Sequence, residues 1–169
     1  MCVASGTTLI AGSVAYLMSV QNHFASTDSK DSPSDTSLLK PDERTILYLA
    51  SLVPSVHNTQ PWFVKYIEPY HWIICNDKNK WLPAVDPTQR ETSVSIGAFI
   101  QNLDYAAGNT GYNCQFDMIA STNQDENIVE VKLTKSGSVA AFDSNRIKNR
   151  RTVRSKYDKD PLRKKDAND

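Results

Sequence analysis

The sequence predicts an α+β fold with mainly antiparallel strands and one long central helix. Two segments carry apolar residues at helical spacing, which indicates amphipathic helices. Two pairs of short runs, rich in aromatic and β-branched residues and joined by polar turns, favour hairpins. With 169 residues, the chain is long enough to bury one sizeable core.

The first helix is predicted to begin at Pro41, because proline suits the first helical position. Asp42 and Glu43 follow it, where the helix dipole favours negative charge. Pro54 breaks the helix. The predicted buried face consists of Ile46, Leu49, Ala50 and Val53.

The strands are predicted at residues 62–67 and 71–76, then at 114–119 and 128–133. Between the two pairs lies the long helix, predicted to open at Asp86 and to run to about residue 107. An ion pair between Asp86 and Arg90 is expected to fix its start. Gly108 or Gly111 ends it. Its apolar stripe consists of Ile96, Phe99, Ile100, Leu103 and Ala107.

Residues 1–20 carry no charged side chain and read as a leader or a membrane-anchor-like segment. The stretch resembles the apolar region of a twin-arginine leader, although no arginine pair precedes it. A buried helix of small residues is the alternative. Residues 21–40 are polar and indicate a linker. We therefore expect an exported protein, periplasmic or otherwise extracytoplasmic, which contacts a membrane only through the first segment.

Charge and cysteine spacing exclude several classes of function. The 19 basic and 19 acidic side chains cancel, so no overall charge recruits nucleic acid. Cys2, Cys75 and Cys114 stand far apart, so a structural zinc site is not expected. Cys75 lies in an apolar run and should pack as a small hydrophobic residue. No set of side chains indicates a catalytic residue or a metal ligand.

The most informative stretch is the loop 54–61, which two prolines bound. Ser55, His57, Asn58 and Gln60 supply hydrogen-bonding groups that a flat heterocycle with donors and acceptors along its edge would match. In the alternative interpretation, the loop only connects a helix to a strand, and its polar groups cap their own backbone.

Three motifs together resemble the FMN-binding nitroreductase-like family. They are Pro-Ser-x-x-Asn-x-Gln-Pro-Trp at residues 54–62, the helical stretch 86–107, and Arg-Arg-Thr-Val-Arg at residues 150–154. The likeness covers about residues 42–162. It implies a nitroreductase-like α+β fold with the long helix at its centre.

The resemblance also implies a set of FMN-binding residues. Residues of the loop would contact the isoalloxazine or ribityl part of FMN, and residues of the arginine motif would hold its phosphate. The guanidinium group of arginine can donate two parallel hydrogen bonds to phosphate oxygens, which agrees with this role. The alternative for the basic segment 146–165 is a solvated charged tail. The implied ligands are Ser55, Asn58, Gln60, Arg150, Arg151, Thr152 and Arg154.

The order of the motifs resembles exported relatives built from two nitroreductase-like halves, since the arginine motif here follows the loop. The resemblance thus implies that residues 41–169 form a partial domain, the N-terminal half with the start of a second. A homodimer or the missing second half would complete the site.

The activity that the resemblance implies is that of an FMN-dependent oxidoreductase. NADH or NADPH would reduce the flavin, which would pass electrons to a nitro-aromatic, a quinone or a similar acceptor. One alternative is a protein that binds or sequesters flavin without turnover. A further alternative is a nucleic-acid-binding module that uses the C-terminal arginines.

Overall fold

The computed structural model describes residues 38–137 and 142–156, together with the backbone of residues 16–17. The predicted leader (apart from residues 16–17), most of the predicted linker, and residues 157–165 of the basic segment lie outside the described residues. The elements in chain order are β1 (Tyr16–Leu17), α1 (Pro41–Ser51), β2 (Trp62–Glu68), β3 (His71–Asn76), α2 (Arg90–Asn109), β4 (Tyr112–Met118), β5 (Asn127–Lys135) and α3 (Ser144–Asn149).

The strands form one sheet in the order β1-β2-β3-β5-β4, and every neighbouring pair is antiparallel. Both predicted hairpins are present, because β2 pairs with β3 and β4 pairs with β5. β3 and β5 then join the two hairpins. The prediction of an α+β fold with antiparallel strands and a long helix is therefore confirmed.

Helix α1 buries Ile46, Leu49 and Ala50 as predicted, and it ends at Ser51, before the predicted break at Pro54. Val53 is buried as predicted but lies beyond the end of the helix. Glu43 in its first turn is also fully buried. Its carboxylate accepts hydrogen bonds from the backbone N–H of Lys40 (2.8 Å) and of Tyr70 (2.7 Å). A residue expected only to complement the helix dipole therefore also ties the β2–β3 turn to α1.

The predicted start of the long helix was wrong by four residues. Helix α2 begins at Arg90, and Gln89 before it has left-handed backbone (φ 58°). The Asp86 carboxylate accepts the N–H of Thr92 (2.9 Å) from upstream. The expected Asp86–Arg90 ion pair was wrong as well, because Arg90 pairs with its neighbour Glu91 (2.7 Å).

The core lies between the helices and the inner face of the sheet. On α2, the residues Ile96, Phe99, Leu103 and Ala107 are buried as predicted, and Ile100 is half-buried. The Phe99 ring lies 5.2 Å from that of Trp62, centroid to centroid, at an interplanar angle of 38°. Because Trp62 opens β2, this contact fixes the point where the loop 54–61 enters the sheet.

The two described cysteines are free thiols. Cys75 is fully buried, and burial raises its pKa to about 12. Such a thiol is protonated at neutral pH, which agrees with the predicted role as a small hydrophobic residue. Within the part of the chain that the structure describes, no helix combines the length and the apolar character needed to span a membrane.

Candidate functional site

The loop 54–61 has unusual backbone geometry. It contains one 3₁₀ turn, Val56–Asn58. His57, Asn58 and Gln60 have φ angles of 49°, 56° and 50°, in the left-handed region that residues with a side chain rarely adopt. Each such residue costs about 1–3 kcal/mol, and it persists only where the surrounding structure holds it. Because such strain clusters at functional sites, the loop is a candidate site on structural grounds.

Ser55 holds the loop from within. Its hydroxyl oxygen accepts the N–H of Gln60 (2.9 Å), and its carbonyl accepts the N–H of Asn58 (3.0 Å). The expected self-capping of the loop is thus present. Because the hydroxyl is the acceptor in this bond, its own hydrogen can still be donated to a ligand.

The three predicted ring-contacting residues differ in exposure. Asn58 is exposed beside His57, whereas Ser55 is half-buried and Gln60 is 7% exposed. Among the described residues, no hydrogen bond is made by the Asn58 side chain. The loop therefore presents the Asn58 amide to solvent, where a ligand edge could reach it.

A lysine that the sequence motif did not indicate contacts the end of the loop. The Lys80 ammonium donates to the Gln60 carbonyl (3.1 Å), and the N–H of Asp77 donates to the Pro61 carbonyl (2.9 Å). Lys80 is 20 residues away from Gln60 in the chain. No local pattern in the sequence could have identified this contact.

Arg150 brings the arginine segment to the start of the loop. Its Nε and Nη2 both donate to the Leu52 carbonyl at the C-terminal end of α1, at 3.3 and 3.2 Å. A cation is favoured there by the helix dipole. Its Nη1 also donates to the Thr152 hydroxyl (3.1 Å). Because Leu52 precedes Ser55 by only three residues, two motifs that are distant in sequence meet at one end of α1.

The other two arginines of the motif, Arg151 and Arg154, have no described hydrogen bond to the loop. The Arg151 Nη1 donates to the carbonyls of Lys148 (3.1 Å) and Arg150 (2.9 Å), and Arg154 is exposed. In the described ranges, no hydrogen bond joins Arg151, Thr152 or Arg154 to the loop. The structure therefore brings Arg150 and its partner Thr152 to the loop region and leaves the other two arginines facing solvent.

Comparison with known proteins identifies two distant relatives. No protein-family model matches the chain. The chain is similar to the uncharacterized proteins MT3212 and Rv3127 from two strains of Mycobacterium tuberculosis, with 28% identity to each over 121 residues. The aligned region covers 68% of this chain and 35% of each relative, so the chain spans about a third of their length.

Proposed function

We propose that this chain contributes an FMN-binding site of the nitroreductase-like type. In this proposal, Ser55, Asn58 and Gln60 contact the flavin ring or the ribityl chain. The observation that carries the proposal is the contact between Arg150 and the Leu52 carbonyl, which joins residues 98 positions apart. FMN presents a heterocycle and a phosphate, so its site needs a polar loop and arginines close to each other.

The chemistry of the loop supports a role in which the cofactor does the redox work. Its side chains offer hydroxyl, amide and imidazole groups, and no acid–base pair stands among them. A flavin needs orientation and electronic tuning from the protein, and it carries the hydride chemistry itself. The proposed activity is the reduction of a nitro-aromatic, a quinone or a similar acceptor with electrons from NADH or NADPH.

We also propose that a second copy or a second nitroreductase-like unit completes the site. This proposal rests on the resemblance, in which the site lies between two nitroreductase-like units. On α2, the side chain of Val94 is 59% exposed, and such a contact would cover it. Export through residues 1–20 stays a prediction, which secretion of the full-length protein would test.

The proposed function is tested by FMN titration of the full chain, followed by assays of NADH and NADPH oxidation and by measurement of the mass in solution. Saturable binding with nicotinamide oxidation is the expected result for an oxidoreductase. Saturable binding without oxidation would favour a flavin-sequestering protein. Absence of binding by the folded chain would contradict the proposal.

Removing both exposed arginines should discriminate between two flavins. The double variant Arg151→Ala/Arg154→Ala is expected to weaken FMN binding by about tenfold or more, because each charge-assisted hydrogen bond contributes about 1.5–3 kcal/mol. Riboflavin, which lacks the phosphate, should bind as before. Fluorescence titration measures both affinities. The matched control, Arg146→Ala/Lys148→Ala, removes two exposed cations of α3 and should spare both ligands. Equal losses for FMN and riboflavin would rule out the phosphate role.

Asn58→Gly should weaken both flavins alike. Glycine keeps the left-handed backbone without strain, so the substitution removes only the amide side chain. A neutral hydrogen bond contributes about 0.5–1.5 kcal/mol, so we expect a loss of about two- to tenfold in each titration. Gln124→Gly is the control, because it removes an exposed amide from the turn between β4 and β5 and should spare both ligands. Unchanged affinity in the Asn58 variant would count against a contact between Asn58 and the ring.

A further inference from the structure

The turn after β3 is a fixed structure that contacts the end of the loop. The Asp77 carboxylate accepts the N–H of Asn79 (3.0 Å), and the Asp77 carbonyl accepts the N–H of Lys80 (3.0 Å). These bonds define the 3₁₀ turn Lys78–Lys80. The turn reaches the loop through Asp77 N–H to Pro61 and through the Lys80 ammonium to Gln60.

Gln60 is held on both sides by side chains. Its N–H donates to the Ser55 hydroxyl oxygen, and its carbonyl accepts from the Lys80 ammonium. Its φ of 50° is costly for a residue with a side chain, so these two bonds oppose relaxation of the backbone. Ser55 acts from within the loop, whereas Lys80 anchors the loop to the sheet through the turn after β3.

We infer that Lys80 is a positioning residue of the loop 54–61. By holding the Gln60 carbonyl, it keeps the left-handed backbone that presents Asn58 and orients the Ser55 hydroxyl. A hydrogen bond to a charged donor is among the stronger ones in proteins, which suits this role. The effect of Lys80 on flavin affinity rests on the proposed function, whereas its effect on the loop does not.

The neighbouring Lys78 provides a matched control. It lies in the same turn and carries the same charge, but its ammonium lies 5.8 Å from the centroid of the Trp81 ring. Lys78 is exposed, whereas Lys80 is half-buried. Replacing either lysine by methionine removes one positive charge and keeps most of the apolar stem, and the bond to the Gln60 carbonyl is lost in Lys80→Met alone.

The first experiment is amide hydrogen exchange in the full chain without ligand. In Lys80→Met, the Gln60 amide should exchange about tenfold faster than in the wild-type protein, because its backbone can leave the geometry that Ser55 captures. Lys80→Arg should restore the rate, and Lys78→Met should leave it unchanged. The amide of Thr110, which donates to the Ala107 carbonyl at the C-terminal end of α2, opens locally elsewhere in the fold and should not respond. An unchanged Gln60 rate in Lys80→Met would overturn the inference.

The second experiment is titration of the same variants with FMN and with riboflavin. A positioning role predicts that Lys80→Met weakens both ligands by the same factor and that Lys80→Arg rescues both. A loss confined to FMN would mean that Lys80 binds the phosphate directly, which would overturn the positioning role. If the wild-type chain binds neither flavin, the proposed function fails, while the exchange rate of Gln60 still decides the role of Lys80.

Discussion

Phe99→Ala is expected to lower the free energy of unfolding by about 3–5 kcal/mol. The side chain is 1% exposed at the centre of α2, and its ring lies 5.2 Å from that of Trp62. Truncation loses both the transfer free energy of the ring and the packing around the cavity it leaves. A domain of this kind has a free energy of unfolding of only about 5–15 kcal/mol. Chemical denaturation at neutral pH measures this free energy, and it should show the loss clearly.

Val94→Ala on the same helix is the matched control for that measurement. Val94 is 59% exposed, so its truncation should change the free energy of unfolding by no more than about 0.5 kcal/mol. A loss of less than about 1 kcal/mol in Phe99→Ala would contradict the assignment of Phe99 to the core.

The same ring contact links the core to the candidate site. Trp62 follows Pro61 directly, so its packing against Phe99 fixes the residue at which the loop ends. At the other end of the loop, Leu52 caps the C-terminus of α1, and its carbonyl accepts two hydrogen bonds from the Arg150 guanidinium. The strained residues between these two points are therefore held at both ends by rigid elements. Proteins position precise binding loops in this way.

The regular elements could be predicted because their signals are local and periodic. The face of α1 and both hairpins follow from apolar spacing within a few residues of each other. The start of α2 could not be predicted in this way. In the sequence, Asp86 resembles a capping residue, and its carboxylate does bind the start of the helix by accepting the Thr92 N–H. A turn that ends at Gln89, which has left-handed backbone, separates Asp86 from the first helical residue.

The candidate site was predicted only in part for a related reason. The loop is visible in the sequence as a dense polar motif between prolines, yet it has no glycine to indicate left-handed backbone at His57, Asn58 and Gln60. The bond from Lys80 spans 20 residues and that from Arg150 spans 98. Contacts at such separations depend on the tertiary fold, so no motif reports them.

Asp86→Ala is expected to lower the free energy of unfolding by about 1–3 kcal/mol at pH 7. Asp86 is 4% exposed, and its carboxylate accepts the Thr92 N–H at the N-terminus of α2. Alanine would leave that buried donor without its acceptor. Asp117→Ala removes an exposed carboxylate from β4 and serves as the control, with an expected change within about 0.5 kcal/mol.

The stabilisation by Asp86 should depend on pH in a defined direction. Burial raises the pKa of its carboxyl, but hydrogen bonds outweigh burial and hold the pKa below its usual range. The donors are the N–H groups of Thr92, Glu91 and Arg90 and the Thr92 hydroxyl. The folded chain therefore takes up this proton less readily than the unfolded chain, in which an aspartate titrates at about pH 4.

The difference in stability between the wild-type protein and Asp86→Ala should therefore be complete above about pH 5. It should shrink as the pH falls through the ordinary aspartate pKa towards the lowered folded value, because protonation removes the charge that the helix terminus binds. Chemical denaturation of both proteins in steps from pH 7 to about pH 3 measures this difference. A difference that stays constant over the whole range would mean that Asp86 stabilises α2 through its shape and not through its charge.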